Sequence, residues 1–444
     1  MVPATNLREA FQATDPRPLP SKDPYFVDLS QARHSRVTDY MKRMIENCAS
    51  DRWSAIAFTG HRGSGKSTEL HQLEQSLRGS CFTLYLDVNE FLDASDVSYT
   101  DLFLLLSRRL LDELRAQNVH LKADLLKAVE DWFTSVTKET EETLKLSAGV
   151  STEAKAGIEI PFLAKLLAKL TADVKAGSSR KTTTREELDH YFTGLLANTN
   201  TLLKAGCDAL EQAQKPCQIL VLVDNLDRMD PEKSEKLFFT HGVQLQGLSC
   251  HAVYTVGIET FYAHAGLGNV FTNHFLLPNV KLRSTKTDDT RYELGIDGMI
   301  DVIGRRIALD TLIPSKDLVL EFVRLSGGSV RQMIRLLREA ILSAQSRNIG
   351  VIDADALKDA VHGLQQDFQR SLETADYDLL AQTWSSKRID KNEAYMRLLR
   401  NTAIMEYNGD DVWYNVNPLI EPIHAYQAAQ KKLEKRKTSR SRKS

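Results

Sequence analysis

The stretch Thr59-Gly60-His61-Arg62-Gly63-Ser64-Gly65-Lys66-Ser67-Thr68, TGHRGSGKST, decides the fold class. Gly60, Gly65, Lys66 and Ser67 complete the pattern G-x-x-x-x-G-K-S, whose chemistry is phosphate binding. Each position has a reason. Glycines at 60, 63 and 65 let the backbone turn tightly and aim N–H groups inward at an anion. The helix that follows adds its positive N-terminal end. Lys66 has the length and charge to reach β- and γ-phosphates, and the Ser67 hydroxyl suits Mg²⁺. The flanks agree: WSAIAFTG (Trp53–Gly60) is an apolar run of strand type, and KSTELHQLEQSLR has helical periodicity.

Working outward, CFTLYLDV (Cys81–Val88), Ile219–Val223, HAVYTVGI (His251–Ile258) and FLLPNVKL (Phe275–Leu282) read as further strands, separated by helical patterns. Strands alternating with helices imply a parallel sheet covered on both faces, an α/β P-loop NTPase core. Beyond Arg291 the strands stop and four amphipathic helices form a lid. Near the end, AIMEYNGDDVWYNV reads as two strands around Asn408-Gly409, and with the helix YMRLLRN before it suggests a winged-helix-like module. The expected organisation is a proline-rich, extended leader over 1–27 and the P-loop core over 28–290. A helical lid over 291–365, a winged-helix-like domain over 366–428 and a basic tail over 429–444 complete it. Within the core, residues 144–184 read as an insertion with one amphipathic helix. Its apolar face (Phe162, Leu163, Leu166, Leu167, Leu170, Val174) either packs on its own domain or serves as a contact arm.

A P-loop needs a carboxylate at the end of a neighbouring apolar strand for the magnesium shell. Asp224 closes ILVLVD and takes that role; Asp227 is the nearest replacement for a catalytic base. Motor-type ATPases often place Glu directly after the magnesium aspartate, and here that position is Asn225, which points to slow hydrolysis. The catalytic set is thus Lys66, Asp224 and Asp227, with Ser67 and Asp224 as Mg²⁺ ligands. Arg331, at the start of an amphipathic lid helix after Gly327-Gly328, can fold onto the phosphates. Thr255 near a strand end is a further candidate contact to the nucleotide.

Composition limits the alternatives. The chain has 444 residues and a net charge of −2; its last fourteen residues, KKLEKRKTSRSRKS, carry eight Lys/Arg and one Glu, leaving the rest at −9. An acidic body argues against a broad nucleic-acid face, while the basic tail, expected to be a solvated end, keeps a local DNA contact open. Five cysteines without a C-x-x-C pair argue against a disulfide framework or zinc site and suit the cytoplasm. No apolar run reaches the ~18 residues of a transmembrane helix.

Together GHRGSGKST, ILVLVDNLDR and SGGSVRQMIRLLREA resemble the prokaryotic STAND and AAA+-related P-loop ATPases. DNLDRMDPE is similar to the DDLDR signature of KAP-type ATPases, and the order core, lid, winged helix is similar to that of origin-recognition ATPases. The resemblance spans residues 28–425. It implies ATP and Mg²⁺ as cofactors, Gly60–Thr68 as the phosphate loop, Asp224 as the Mg²⁺ residue and Arg331 as a lid sensor. It also implies a nucleotide-dependent homo-oligomer that controls a separately encoded protein effector, in bacterial signalling or anti-phage defence. A DNA-binding initiator or loader is the alternative. Two departures stand out: Gly328-Ser329-Val330 lacks the proline of the STAND Gly-x-Pro, and GLGNVFTNHFLLP holds no arginine finger. Arg283, Arg291, Arg305 and Arg306 are the substitutes for the latter.

Overall fold

The computed structural model describes residues 2–49, 51–138, 162–176, 179–263, 266–283, 291–409 and 411–441. In chain order the larger elements are α1 (Leu7–Ala13), α2 (Val37–Glu46), β1 (Ala55–Gly60), α3 (Lys66–Leu77), β2 (Cys81–Asp87), α4 (Tyr99–Ala116) and α5 (Ala123–Thr137). These are followed by α6 (Phe162–Lys175), α7 (Ser179–His190), α8 (Phe192–Gln212), β3 (Gln218–Asp224), β4 (His251–Val256) and β5 (Asn273–Leu277). The remainder is α9 (Glu293–Gly304), α10 (Lys316–Ser326), α11 (Val330–Ser346), α12 (Ala354–Ser371), α13 (Thr374–Ser386), α14 (Glu393–Arg400), β6 (Ile404–Tyr407), β7 (Trp413–Val416) and α15 (His424–Ser441).

β1 to β5 form one parallel sheet in the order β2-β3-β4-β1-β5. The all-apolar run of β3 is explained by its place inside that order. From Ile219 to Asp224 every residue is buried, as a strand covered on both faces requires. The fifth strand ends earlier than its apolar run suggests, at Leu277 rather than Leu282. Pro278 has no N–H for a ladder. The next three residues give theirs elsewhere: Asn279 to the Glu406 carbonyl, Val280 to Gly328 and Lys281 to Ala32.

Two compact units divide the chain. One comprises Tyr40–Phe58 and Leu73–Phe275. Its core joins β2, β3 and β4 to α4, α5, α6 and α8. The insertion helix α6 belongs here. Leu163, Leu166, Leu167, Leu170 and Val174 are all at most 1% exposed, packed with α4, α5 and α7. Each such side chain is worth roughly 2 kcal/mol of burial, so this face is part of the core and does not form an open contact arm. Residues 144–161 of the insertion lie outside the described residues. The N-terminus of α4 carries a reciprocal Ser98–Asp101 cap, and Arg185 of α7 donates to both Asp96 and Asp101, pinning the insertion to it.

The other unit comprises Met1–Asp39, Thr59–Gln72 and Leu276–Ser444. Its core gathers α9, α10, α11 and α12 with Leu29, Ala32 and Val280. The leader, expected to be extended, is helical at α1 because Asn6 caps it by accepting the Glu9 N–H, and Leu7 and Ala10 are buried against that core. The basic tail is largely solvent-exposed over 431–436, as expected, but it is helical. α15 starts at His424, buries Tyr426 and continues to Ser441, with Lys432 paired to Asp378 of α13 at 2.8 Å. β6 and β7 form the expected antiparallel hairpin, with Tyr407 stacked on Trp413 at 4.4 Å.

Candidate functional site

The site residues fall in two groups, one in each unit. The first is the loop that leaves β1. Gly60, Gly63 and Gly65 have φ of 153°, 87° and 109°, all in the region that side chains avoid. Lys66 is buried and donates to the carbonyls of Gly60 at 2.7 Å and His61 at 3.2 Å, which folds its ammonium back over the loop. Thr68 accepts from the Leu19 N–H at 3.2 Å, so its hydroxyl anchors the leader. Arg62 is exposed and Ser67 half-buried.

Four elements grip this loop from within the same unit. At Gly60, a Cβ would stand 2.6 Å from the Leu277 carbonyl at the end of β5. The His61 Nε2 accepts the Glu406 N–H of β6 at 2.9 Å. Gly63 passes under α11: its carbonyl accepts the Arg331 N–H at 3.3 Å, and a Cβ on it would lie 2.6 Å from that of Arg331. The Ser64 carbonyl accepts from Arg33 Nη2 at 2.6 Å. Arg331 is therefore brought to the loop, through its own backbone. Val330 occupies the first helical position of α11, where Ser329 caps the helix, so the missing proline costs no hydrogen bond.

His61 titrates far from the neutral range. Burial, then the charge of Lys66, pushes its pKa down to about 3. The neutral ring accepts at Nε2 and so carries its proton on Nδ1. Burial likewise lowers the Arg33 pKa, with Glu69 and Asp28 opposing it. Arg33 is 3% exposed, and its Nε and Nη1 have no partner. No sequence signal marks it within SQARHSR.

The second group closes β3. Asp224 is 2% exposed and accepts at both oxygens: from the Asn225 N–H at 2.8 Å and from the Tyr85 hydroxyl at 2.6 Å. Asn225 is left-handed, φ 68°, a conformation asparagine tolerates. Its amide donates to Asp87 at 2.9 Å, tying the end of β3 to the end of β2. Thr255 is fully buried; it accepts from the Leu226 N–H at 3.0 Å and donates to the Val223 carbonyl at 3.2 Å. That geometry makes it a brace for the Asp224 turn. Asp227 sits half-buried in the short 3₁₀ turn Leu226–Arg228. Tyr85 escaped the sequence reading, although polar Thr83, Tyr85 and Asp87 alternate along an otherwise apolar strand.

Among the arginine-finger substitutes, Arg306 is 5% exposed, donates to the Val302 carbonyl at 2.8 Å and lies over Tyr25, all within its own unit.

Residues 36–243 match the KAP family P-loop domain. That segment is a P-loop NTPase domain. The match takes in the loop, Asp224 and the insertion. No curated protein matches the sequence. Three solved structures are similar over nearly the full chain. Cdc6p from Pyrobaculum aerophilum shares 9% identity, with 95% of this chain and 98% of that one covered, at a TM-score of 0.41. The Walker-type ATPase of Pyrococcus abyssi shares 13%, over 92% and 98%, at 0.43. The ORC1 protein of Aeropyrum pernix, solved in complex with DNA, shares 11%, over 96% and 96%, at 0.37. Resemblances this distant carry no argument about ligand or partner. Among the described residues no helix is long and apolar enough to cross a membrane.

Proposed function

We infer that this P-loop NTPase is a nucleotide-operated conformational switch that binds ATP with Mg²⁺ and turns it over slowly. The observation that carries this reading is Asn225. The position that would hold a water-activating glutamate is occupied by an amide that is engaged with Asp87 and set in a left-handed turn. The residues present fit the ligand. The positive-φ glycines and Lys66 suit phosphates, Ser67 and Asp224 suit Mg²⁺, and bound Mg²⁺ would neutralise phosphate charge. Asp227 remains the local carboxylate for activating water. The grip of α11 and β6 on the loop supplies the route outward, since a ligand that alters the loop acts on both. In this reading α9 to α12 are the lid, α13 to β7 a winged-helix-like module, and the output is a change in oligomeric state or partner contact. Control of a separate effector in signalling or defence is the setting we favour.

The test is nucleotide binding measured beside turnover. Micromolar or tighter ATP binding is expected, with hydrolysis well below ~1 s⁻¹, the lower end of ordinary enzyme turnover, and a nucleotide-dependent shift in light-scattering mass. Rapid partner-free hydrolysis would overturn the switch reading.

Asn225→Glu sharpens the point. A carboxylate there loses the bond to Asp87 and faces Asp87 and Asp224 from a strained left-handed residue. The expected result is a loss of about 2–3 kcal/mol of stability in denaturant titration and no gain in phosphate release. A tenfold faster release would show that the position can host a base.

A second reading, a DNA-binding initiator, has one observation of its own: α15 is an ordered helix whose later half is rich in Lys and Arg. Phosphate contacts make such binding fall steeply with salt. Mobility shifts at two salt concentrations decide it; no shift at low salt eliminates DNA.

A further inference from the structure

Asp224 is held more firmly than a strand-end aspartate needs to be. The Asn225 N–H alone would leave the carboxylate free to swing about its second torsion, which is broad for this side chain. The second bond, from Tyr85 to the other oxygen, removes that freedom. Tyr85 stands opposite Leu222 in the β2–β3 ladder and Asp87 opposite Asp224. Side chains two apart share a face, so the phenol runs along the sheet to the carboxylate. Asp87 takes the Asn225 amide and the Asn89 N–H on one and the same oxygen, both at 2.9 Å.

We propose that Tyr85 is the positioning residue of the metal-binding carboxylate, its hydroxyl setting Asp224 in the orientation that receives Mg²⁺ with the nucleotide. This rests on the assignment of Asp224 to magnesium. A neutral donor suits the task. A lysine or arginine would orient the carboxylate but cancel the charge a divalent cation needs.

The experiment separates magnesium from nucleotide. A fluorescent ADP analogue is titrated into the full chain with Mg²⁺ and with EDTA, for wild type, Tyr85→Phe, Asp224→Ala and the double variant. Tyr85→Phe is expected to weaken binding about 10–100-fold in Mg²⁺, the value of one hydrogen bond to a charged group, and by less than twofold in EDTA. In the double variant the magnesium-specific loss should equal that of Asp224→Ala alone. Mn²⁺ electron paramagnetic resonance of the ADP complex should show weaker metal retention in Tyr85→Phe. Equal losses with and without Mg²⁺ would mean a merely structural tyrosine and overturn the proposal, as would no loss at all. If Asp224→Ala itself shows no magnesium-specific loss, Asp224 is not the metal residue and the role of Tyr85 falls with it.

Discussion

Lys66→Ala is expected to lower ATP affinity by at least 100-fold, measured by isothermal titration calorimetry, while the protein still melts cooperatively within a few degrees of wild type. The size follows from the chemistry. A lysine shared between two phosphates makes charge-assisted bonds of about 1.5–3 kcal/mol each, and each 1.4 kcal/mol is tenfold in affinity. The small stability effect follows from the structure. Lys66 spends its ammonium on the Gly60 and His61 carbonyls, and those belong to a loop also held by Leu277, Glu406, Arg331 and Arg33. Removing one of several ties leaves the loop in place without its cation. Binding within threefold of wild type would refute the assignment of the loop.

Gly328→Ala should have the largest effect on stability. Gly328 has φ 78°, and a Cβ would lie 1.8 Å from the Val280 carbonyl oxygen, a backbone atom with nowhere to go. The same residue accepts the Val280 N–H at 3.0 Å and donates to the Ser326 hydroxyl at 3.0 Å. Strain and clash together are worth on the order of 3–5 kcal/mol. In a unit of this size that is about a 10 °C fall in melting temperature by scanning calorimetry. ATP affinity should fall too, because Arg331, three residues on, carries the N–H that reaches Gly63. A melting temperature within 2 °C of wild type would show that the 280 segment yields.

The P-loop and the five strands were legible because their signals are local: glycine spacing, a lysine, apolar runs of strand length. What was not legible depends on distant partners. The FLLPNVKL run looks like one strand, yet past Pro278 its N–H groups serve Glu406, Gly328 and Ala32, none of which the local pattern announces. Thr255 carries the right residue type for a phosphate contact, but its hydroxyl is taken up by the backbone of Val223 and Leu226. The α6 stripe was visible as amphipathic; only the packing reveals that its own unit buries it. Arg33 and the His61–Glu406 bond leave no trace in spacing at all.

That bond also bears on how the protein is made. Residue 61 lies in the first sixth of the chain, and its hydrogen-bond donor is 345 residues downstream. Contacts so far apart in sequence form late and slow the folding of the parts that need them. A nascent chain stopped before β6 could complete its sheet and still lack one wall of its phosphate loop. That side of the loop is therefore closed only once β6, 345 residues downstream, has been made and has folded.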